Sequence, residues 1–365
     1  MKLYNHDISI CTHDQVQGNY LYSSRALGLT APDDLIQLHP ALEPEWSAIS
    51  AHYDRIGLSY SQYPLWTVDF DRLLDYSPDQ ISVFYFGDAV HPDSQPAHLF
   101  HRLDPQWFQV VQHINSKNAF IQLAHKLGVP VPPTLCFASP ANLQPADLEI
   151  AYPCYLKPAV SVDGMGICRC ETPQQLTAAL ATLDPSLPMQ IQAEVSASSF
   201  LNLQYRVTAD GYERLAVSEQ ILDGYTHQGN RYPSSHEPWD IVEPMAAWIV
   251  QQGMKGIFAF DVAAVDQGEA PYLAIECNPR FNGASYPTTI ARKLGIESWS
   301  NETFFTPAQS LQDLDLKDLE FDLASGHGIV LVMWGTVLVG KLGILLAGSI
   351  EQQTELRAAL KQRLA

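Results

Sequence analysis

Apolar positions along the chain change period more than once, and the changes outline its elements. From Asp104, "DPQWFQVVQHI" places an N-cap aspartate before a proline at the first helical position, which predicts a helix. After Asn115, "SKNAFIQLAHKLGVPVPP" predicts a second helix with Ala119, Phe120, Leu123, Ala124 and Leu127 on one face, stopped by Gly128 and Pro130. The proline-rich stretch that follows, to about residue 145, reads as a linker or extended connection. Then "YPCYLKPAVSVDGMGICRCETPQQLTAALATL" reads as strand, glycine-bearing loop, strand, and a helix capped by Thr172 with Pro173 as its first residue. Strands are expected at 189–195 and, as a pair turning at Asp210-Gly211, over 200–222. A helix over about 240–252 ends at Gly253, and "GIFAFDVAAV" and "YLAIECNP" form a last strand pair. The first hundred residues mix short apolar runs, such as "ISVFYFG" at 81–87, with helix-like stretches, as in a small α/β unit.

One apolar run, "GIVLVMWGTVLVGKLGILLAG" at 328–348, is long enough for a membrane span. Lys341 and the glycines at 335, 340 and 343 favour two buried strands joined by a tight turn at "VGKLG". The N-terminus lacks the apolar region of a secretory signal, so a cytoplasmic protein is expected.

The length of 365 residues, with 46% hydrophobic and 17% charged, fits two or three packed domains. A formal charge of -19 and the lack of a basic stripe argue against nucleic acid as a partner. An acidic protein that binds an anionic small molecule must concentrate its few cations at that site. The six cysteines form no C-x-x-C pair and no zinc spacing, which fits reduced thiols; Cys168 and Cys170 share a strand face, where filling a core explains them about as well as a function does, and they are given no role.

Candidate chemistry sits where "YLAIECNPRFNG" turns from apolar to polar. Glu276 and Asn278 are two apart on a strand and so share a face, with Cys277 pointing away. Asp261 on the preceding strand can lie alongside, and two carboxylates with an amide oxygen suit magnesium, which keeps water and phosphate in its other positions. Arg280 follows Pro279, and its guanidinium either clamps an anion or makes a surface salt bridge. "LKPAVSVDGMG" adds Lys157 before a glycine loop whose backbone can approach phosphate; alone it is also an ordinary hairpin.

In this order and spacing the two constellations resemble the ATP-grasp superfamily of carboxylate-amine ligases, over residues 115 to about 300. The resemblance implies an α/β (α+β) ATP-grasp fold with an N-terminal α/β pre-ATP-grasp domain (1–114) and an ATP-grasp module (115–300). The module divides into a lysine and glycine-loop subdomain at about 130–195 and a metal-binding subdomain at about 196–300. Residues 301–365 complete the fold and include a small C-terminal β-α unit. The cofactors implied are ATP and Mg2+. Lys117 and Lys157 would contact phosphates and nucleotide under Gly164, Met165 and Gly166. "IQAEV", with Gln192, Glu194 and Val195, would hold adenine and ribose, although the pair of acidic residues common there is not matched. Asp261, Glu276 and Asn278 would hold magnesium, and Arg280 would stabilise an acyl-phosphate.

The polar stretch 218–235 follows a strand and resembles a pattern in amino-acid and peptide ligases of this superfamily. That makes Gln220, His227, Asn230 and Arg231 candidate substrate contacts; otherwise the stretch is a solvated loop. The implied reaction activates a small-molecule carboxylate as an acyl-phosphate and couples it to an amine, releasing ADP and phosphate. The expected partners are small-molecule carboxylate and amine substrates, without nucleic acid or membrane, and a homodimer is one permitted assembly. An ATP-grasp carboxylase, a purine-pathway-type ligase and a non-catalytic nucleotide-binding scaffold are the alternatives.

Overall fold

The structure is a computed structural model that describes residues 1–365 except 13–15, 89–92, 141–142, 144–147, 162–165, 185, 225 and 267–270. The described residues form sixteen strands in three sheets. The first is parallel, with β1 (Leu3–Asn5), β2 (Leu35–Gln37), β3 (Tyr63–Leu65) and β4 (Ile81–Val83) in the order β3-β2-β1-β4. The second is antiparallel, with β5 (Thr134–Phe137), β6 (Cys154–Pro158), β7 (Cys168–Cys170) and β8 (Met189–Ala193) in the order β5-β8-β6-β7.

The third sheet is antiparallel and has eight strands. These are β9 (Ala197–Thr208), β10 (Gly211–Asp223), β11 (Thr226–Tyr232), β12 (Ile257–Val265), β13 (Tyr272–Asn278), β14 (Trp299–Phe305), β15 (Gly328–Met333) and β16 (Lys341–Ala347). Their order is β13-β12-β9-β10-β11-β14-β16-β15. The C-terminal strands therefore join the sheet through the β11–β14 ladder, and the helix Ile350–Arg363 packs behind them. Gly229 permits that ladder, since a side chain there would collide with the Asn301 carbonyl.

The expected helices form. Asp104 accepts from the Trp107 N–H at the start of Pro105–Asn115, and Gly128 at φ 71° ends Lys117–Leu127. Three expectations are corrected. The proline-rich connection contains β5, because Thr134–Phe137 finds open backbone partners on β8. The apolar run at 328–348 is two strands, but they are joined by the 3-10 turn Gly335–Val339 and left-handed Gly340, and Gly343 lies within β16. The polar stretch after residue 218 is the β10–β11 hairpin in the middle of the large sheet, its backbone paired on both sides. No helix among the described residues is long and apolar enough to cross a membrane.

Two of the three apolar cores bridge the first sheet region to the large sheet. One joins Leu21, Leu27 and Tyr53 to Tyr286, Trp299 and Leu345, and another joins Leu3, Phe86 and Phe120 to Leu203, Phe258 and Phe260. The third core, around Leu156, Leu176 and Ile191, belongs to the β5–β8 sheet alone. That sheet thus has its own small core and hangs beside a larger body.

Candidate active site

One face of the large sheet is apolar and the other carries a polar row. Leu201, Leu203, Phe260, Val262 and Cys277 pack into the core. On the other face the ladders place Glu276 opposite Asp261, Asp261 opposite Asn202, and Asn202 opposite Ser218. The period of two sets this segregation, and direct pairing makes the row contiguous. The register of β12 on β13 shifts just after Asp261, a bulge of the sort that redirects side chains beside sites.

Asp261 is held from both sides. Asn202 Nδ2 donates to its Oδ1 at 2.7 Å and Asn278 Nδ2 to its Oδ2 at 3.0 Å. Burial and the neighbouring Glu276 charge raise the Asp261 carboxyl above the usual carboxylate range. Glu276 is shifted the opposite way: Lys117, Lys157 and Arg280 outweigh its burial and hold it low. Asn282 Nδ2 reaches Asn202 Oδ1 at 3.4 Å, extending the network into the loop after β13.

The cations come from three elements. Lys117 opens the helix Lys117–Leu127, its N–H donates to the Ala159 carbonyl at 2.7 Å, and its Nζ lies 2.7 Å from Glu276 Oε2. Lys157 on β6 donates from Nζ to Gln192 Oε1 at 2.7 Å, and Gln192 Nε2 donates to Thr134 Oγ1 at 3.0 Å. Burial, with Lys117 nearby, lowers the Lys157 ammonium to about 8 against the pull of Glu276. Arg280 Nη1 donates to Asn115 Oδ1 at 2.9 Å. Lys117, Lys157, Arg280, Asp261, Glu276 and Asn278 thus meet as one cluster, although they span more than 160 positions of the chain.

The remaining candidates divide. Gln192 is inside the cluster; Glu194 pairs with Arg169 at 2.8 Å, on the face of the sheet that Arg169 shares with Tyr155, Gln192 and Lys157, and Val195 follows the end of β8. Gly166 is described, with φ 77°, and Gly164 and Met165 lie outside the described residues. His227 packs on Gly283, where a β-carbon would come within 2.8 Å of its Cε1, so the hairpin reaches the loop that carries Arg280. Its Nε2 bonds to Asn230 Oδ1 at 2.7 Å, and Asn230 Nδ2 donates to Ser218 Oγ at 3.2 Å. Gln220, opposite Asn230, shares that face. Arg231 is on the reverse face, exposed and bound to Glu219, so the structure does not bring it to the cluster.

Three residues of the site escaped sequence reading. Asn202 and Asn282 complete the carboxylate network, and Gln190, opposite Lys157, is fully buried with both amide atoms lacking partners among the described residues. The alternation in "FLNLQYRV" and "MQIQA" was the available signal, since polar residues at every second strand position need partners or a ligand.

These side chains fit the groups that the resemblance implied. Two carboxylates and an amide suit a divalent cation, and such a cation would offset the burial and the Glu276 charge that together raise the Asp261 carboxyl. No group of three or more histidine, cysteine or acidic side chains forms a separate metal centre among the described residues. Two lysines, an arginine and the unpartnered Gln190 amide suit a polyphosphate and a base.

No protein-family model matches the chain, and no curated protein matches it in sequence. Solved structures do match. The ADP complex of purK, an N5-carboxyaminoimidazole ribonucleotide synthetase, is 13% identical with a TM-score of 0.63, and the match covers 98% of this chain and 94% of that one. An L-amino acid ligase from Bacillus licheniformis is 12% identical with a TM-score of 0.58, covering 100% and 98%. An Archaeoglobus fulgidus protein assigned to the ATP-grasp superfamily is 15% identical with a TM-score of 0.53, covering 84% and 93%. The chain has the ATP-grasp fold.

Proposed function

We propose that the chain is an ATP-dependent ligase that activates a small-molecule carboxylate and joins it to an amine. The observation that carries this reading is the convergence of Lys117, Lys157 and Arg280 on the paired carboxylates Asp261 and Glu276. In the first step a carboxylate oxygen attacks the γ-phosphorus of ATP and the bond to ADP breaks. In the second the amine nitrogen attacks the acyl carbon, the bond to phosphate breaks and the nitrogen loses a proton.

Such phosphoryl transfer needs positioning and charge neutralisation rather than a protein nucleophile. Lys157 and Lys117 neutralise phosphate oxygens, Arg280 holds the acyl-phosphate, and Gln190 and Gln192 line the base side. Asp261, Glu276 and Asn278 would hold magnesium, which would supply neutralisation of phosphate charge. His227, Asn230 and Gln220 face the substrate end, and the segment around Gly166 covers the phosphates and limits hydrolysis. Residues 1–114 serve as the N-terminal unit, 115–300 as the ATP-grasp module and 301–365 as its completion. The setting is cytoplasmic.

A carboxylating ligase is the second reading, favoured by the high coverage of the N5-carboxyaminoimidazole ribonucleotide synthetase structures. A screen for ADP release with ATP, magnesium and pairs of acids and amines, bicarbonate included, separates the two. Lys157→Ala and Glu276→Ala are expected to abolish ADP release while the protein stays folded. Normal ADP release by either variant would remove the assignment.

A further inference from the structure

The parallel sheet has the order β3-β2-β1-β4, so the chain leaves β1 toward one edge and later returns to place β4 on the other side. Such a switch point opens a crevice at the carboxyl ends of the two strands. His6 follows β1 there and Phe84 follows β4. The loop after β13 closes onto this edge: the Phe281 N–H donates to the Phe84 carbonyl at 3.1 Å, and its ring meets His6 at 4.6 Å. Arg280 is the residue before that contact, so the crevice adjoins the acyl-phosphate end of the proposed site.

Arg25 enters the same place from the 3-10 segment Asn19–Leu29. Its Cζ lies 4.4 Å from the ring centroid of Tyr286, 4.7 Å from Phe84 and 5.1 Å from Tyr22, and the residue is 9% exposed. Rings on these sides fix the guanidinium plane, and the Tyr286 hydroxyl accepts one hydrogen bond from it. Nε and Nη2 have no hydrogen-bond partner, and no ion pair includes Arg25, among the described residues. His6 cannot supply an acceptor: its Nδ1 is engaged with the Tyr286 hydroxyl at 2.9 Å and its Nε2 with Ser82 Oγ at 3.0 Å. Asp7 accepts from both the N–H and the hydroxyl of Ser9. Burial raises the Cys11 thiol, Arg280 and Arg25 pull it down, and Asp7 and Asp88 push it up, so the fields of two guanidinium groups and two carboxylates both reach it.

A buried cation without an anion is costly, and a charged fork with open donors is suited to a carboxylate or phosphate. We propose that Arg25 is a specificity-determining residue that receives a second anionic group, a carboxylate or a phosphate monoester, on a substrate lying in the β1/β4 crevice. The proposal rests on the ligase reading for the word substrate, and its geometry stands apart from it.

Calorimetry tests it without turnover, using succinate against succinamide and glycerol 3-phosphate against glycerol. The wild-type chain should bind at least one anion about tenfold or more tighter than its uncharged analogue, and which anion prefers the site identifies the source of the charge. Arg25→Met should remove the preference, Arg25→Lys should keep part of it, and Lys157→Ala should leave it intact. No preference in the wild type, or a preference that survives Arg25→Met and disappears in Lys157→Ala, overturns the proposal. Because Arg25→Met deletes an unpaired buried charge, its melting temperature should equal or exceed that of the wild type; Arg25→Lys gives a second readout if it does not fold. An Arg25-dependent preference without ADP release from any acid would sink the ligase reading alone, and ADP release without Arg25 dependence would sink this inference alone.

Discussion

Lys117 Nζ lies 2.7 Å from Glu276 Oε2, so the first residue of a helix neutralises the last carboxylate of a strand from a distant part of the chain. This pair offsets the repulsion between the two half-buried carboxylates that stand side by side on β12 and β13. Lys117→Ala should therefore lower ATP affinity by about tenfold or more and also cost stability. Glu276 keeps 28% of its side chain exposed, so solvent screens the loss and holds it near about 1 kcal/mol. Calorimetric titration with ATP and a urea melt measure the two effects separately.

Asn202 acts on the opposite flank, donating to Asp261 at 2.7 Å. Asn202→Leu removes the donor and leaves a buried carboxylate oxygen without it, which should cost about 1–3 kcal/mol. Outer partners of a metal-holding carboxylate also set its affinity, so the magnesium concentration for half-maximal ADP release should rise about 10- to 100-fold. A magnesium titration at saturating ATP checks this, and an unchanged midpoint would show that Asn202 only packs.

The Lys157 ammonium, lowered to about 8, makes nucleotide binding pH-dependent. Phosphate favours the charged form, so ATP affinity should fall as pH rises through about 8, and binding there should take up a proton. Calorimetry in buffers of different ionisation enthalpy reads the proton directly. The linked effect on folding runs the other way. A lysine whose folded value lies below its ordinary 10.5 leaves the unfolded chain binding more protons between the two values, so it makes stability rise with pH across that window. Lys157→Met should flatten that rise.

Glu320 joins the N-terminal region to the C-terminal strands, accepting from Arg55 Nε at 2.6 Å and paired with His52 Nδ1 at 2.8 Å. These partners hold its carboxylate at about 2 despite burial. Its contribution is complete above its ordinary 4.5 and is lost as pH falls toward about 2, so the wild type should lose stability through that window. Glu320→Gln should cost about 1.5–3 kcal/mol at neutral pH and give a flatter acid limb in pH-dependent denaturant melts.

The sequence alone determined the features that depend on neighbours within a few residues. Caps at Asp104 and Thr172, the stop at Gly128, and the shared face of Glu276 and Asn278 follow from local backbone geometry and the strand period, and all appear in the fold. Tertiary structure decided what depends on pairing between distant segments. Thr134–Phe137 looks like a connection until β8 supplies its backbone partners, and the polar residues of the β10–β11 hairpin look like a loop until β9 and β14 flank them. Arg231 and Asn230 are adjacent in sequence, yet pleating sends one to Glu219 and the other to the face shared with Ser218. Asn202 and Arg25 lie outside every motif because their partners are set by sheet register and by the docking of the Arg280 loop on β4. Charge, cap and period are written in the chain, whereas the company each charge keeps is fixed only when remote strands exchange hydrogen bonds.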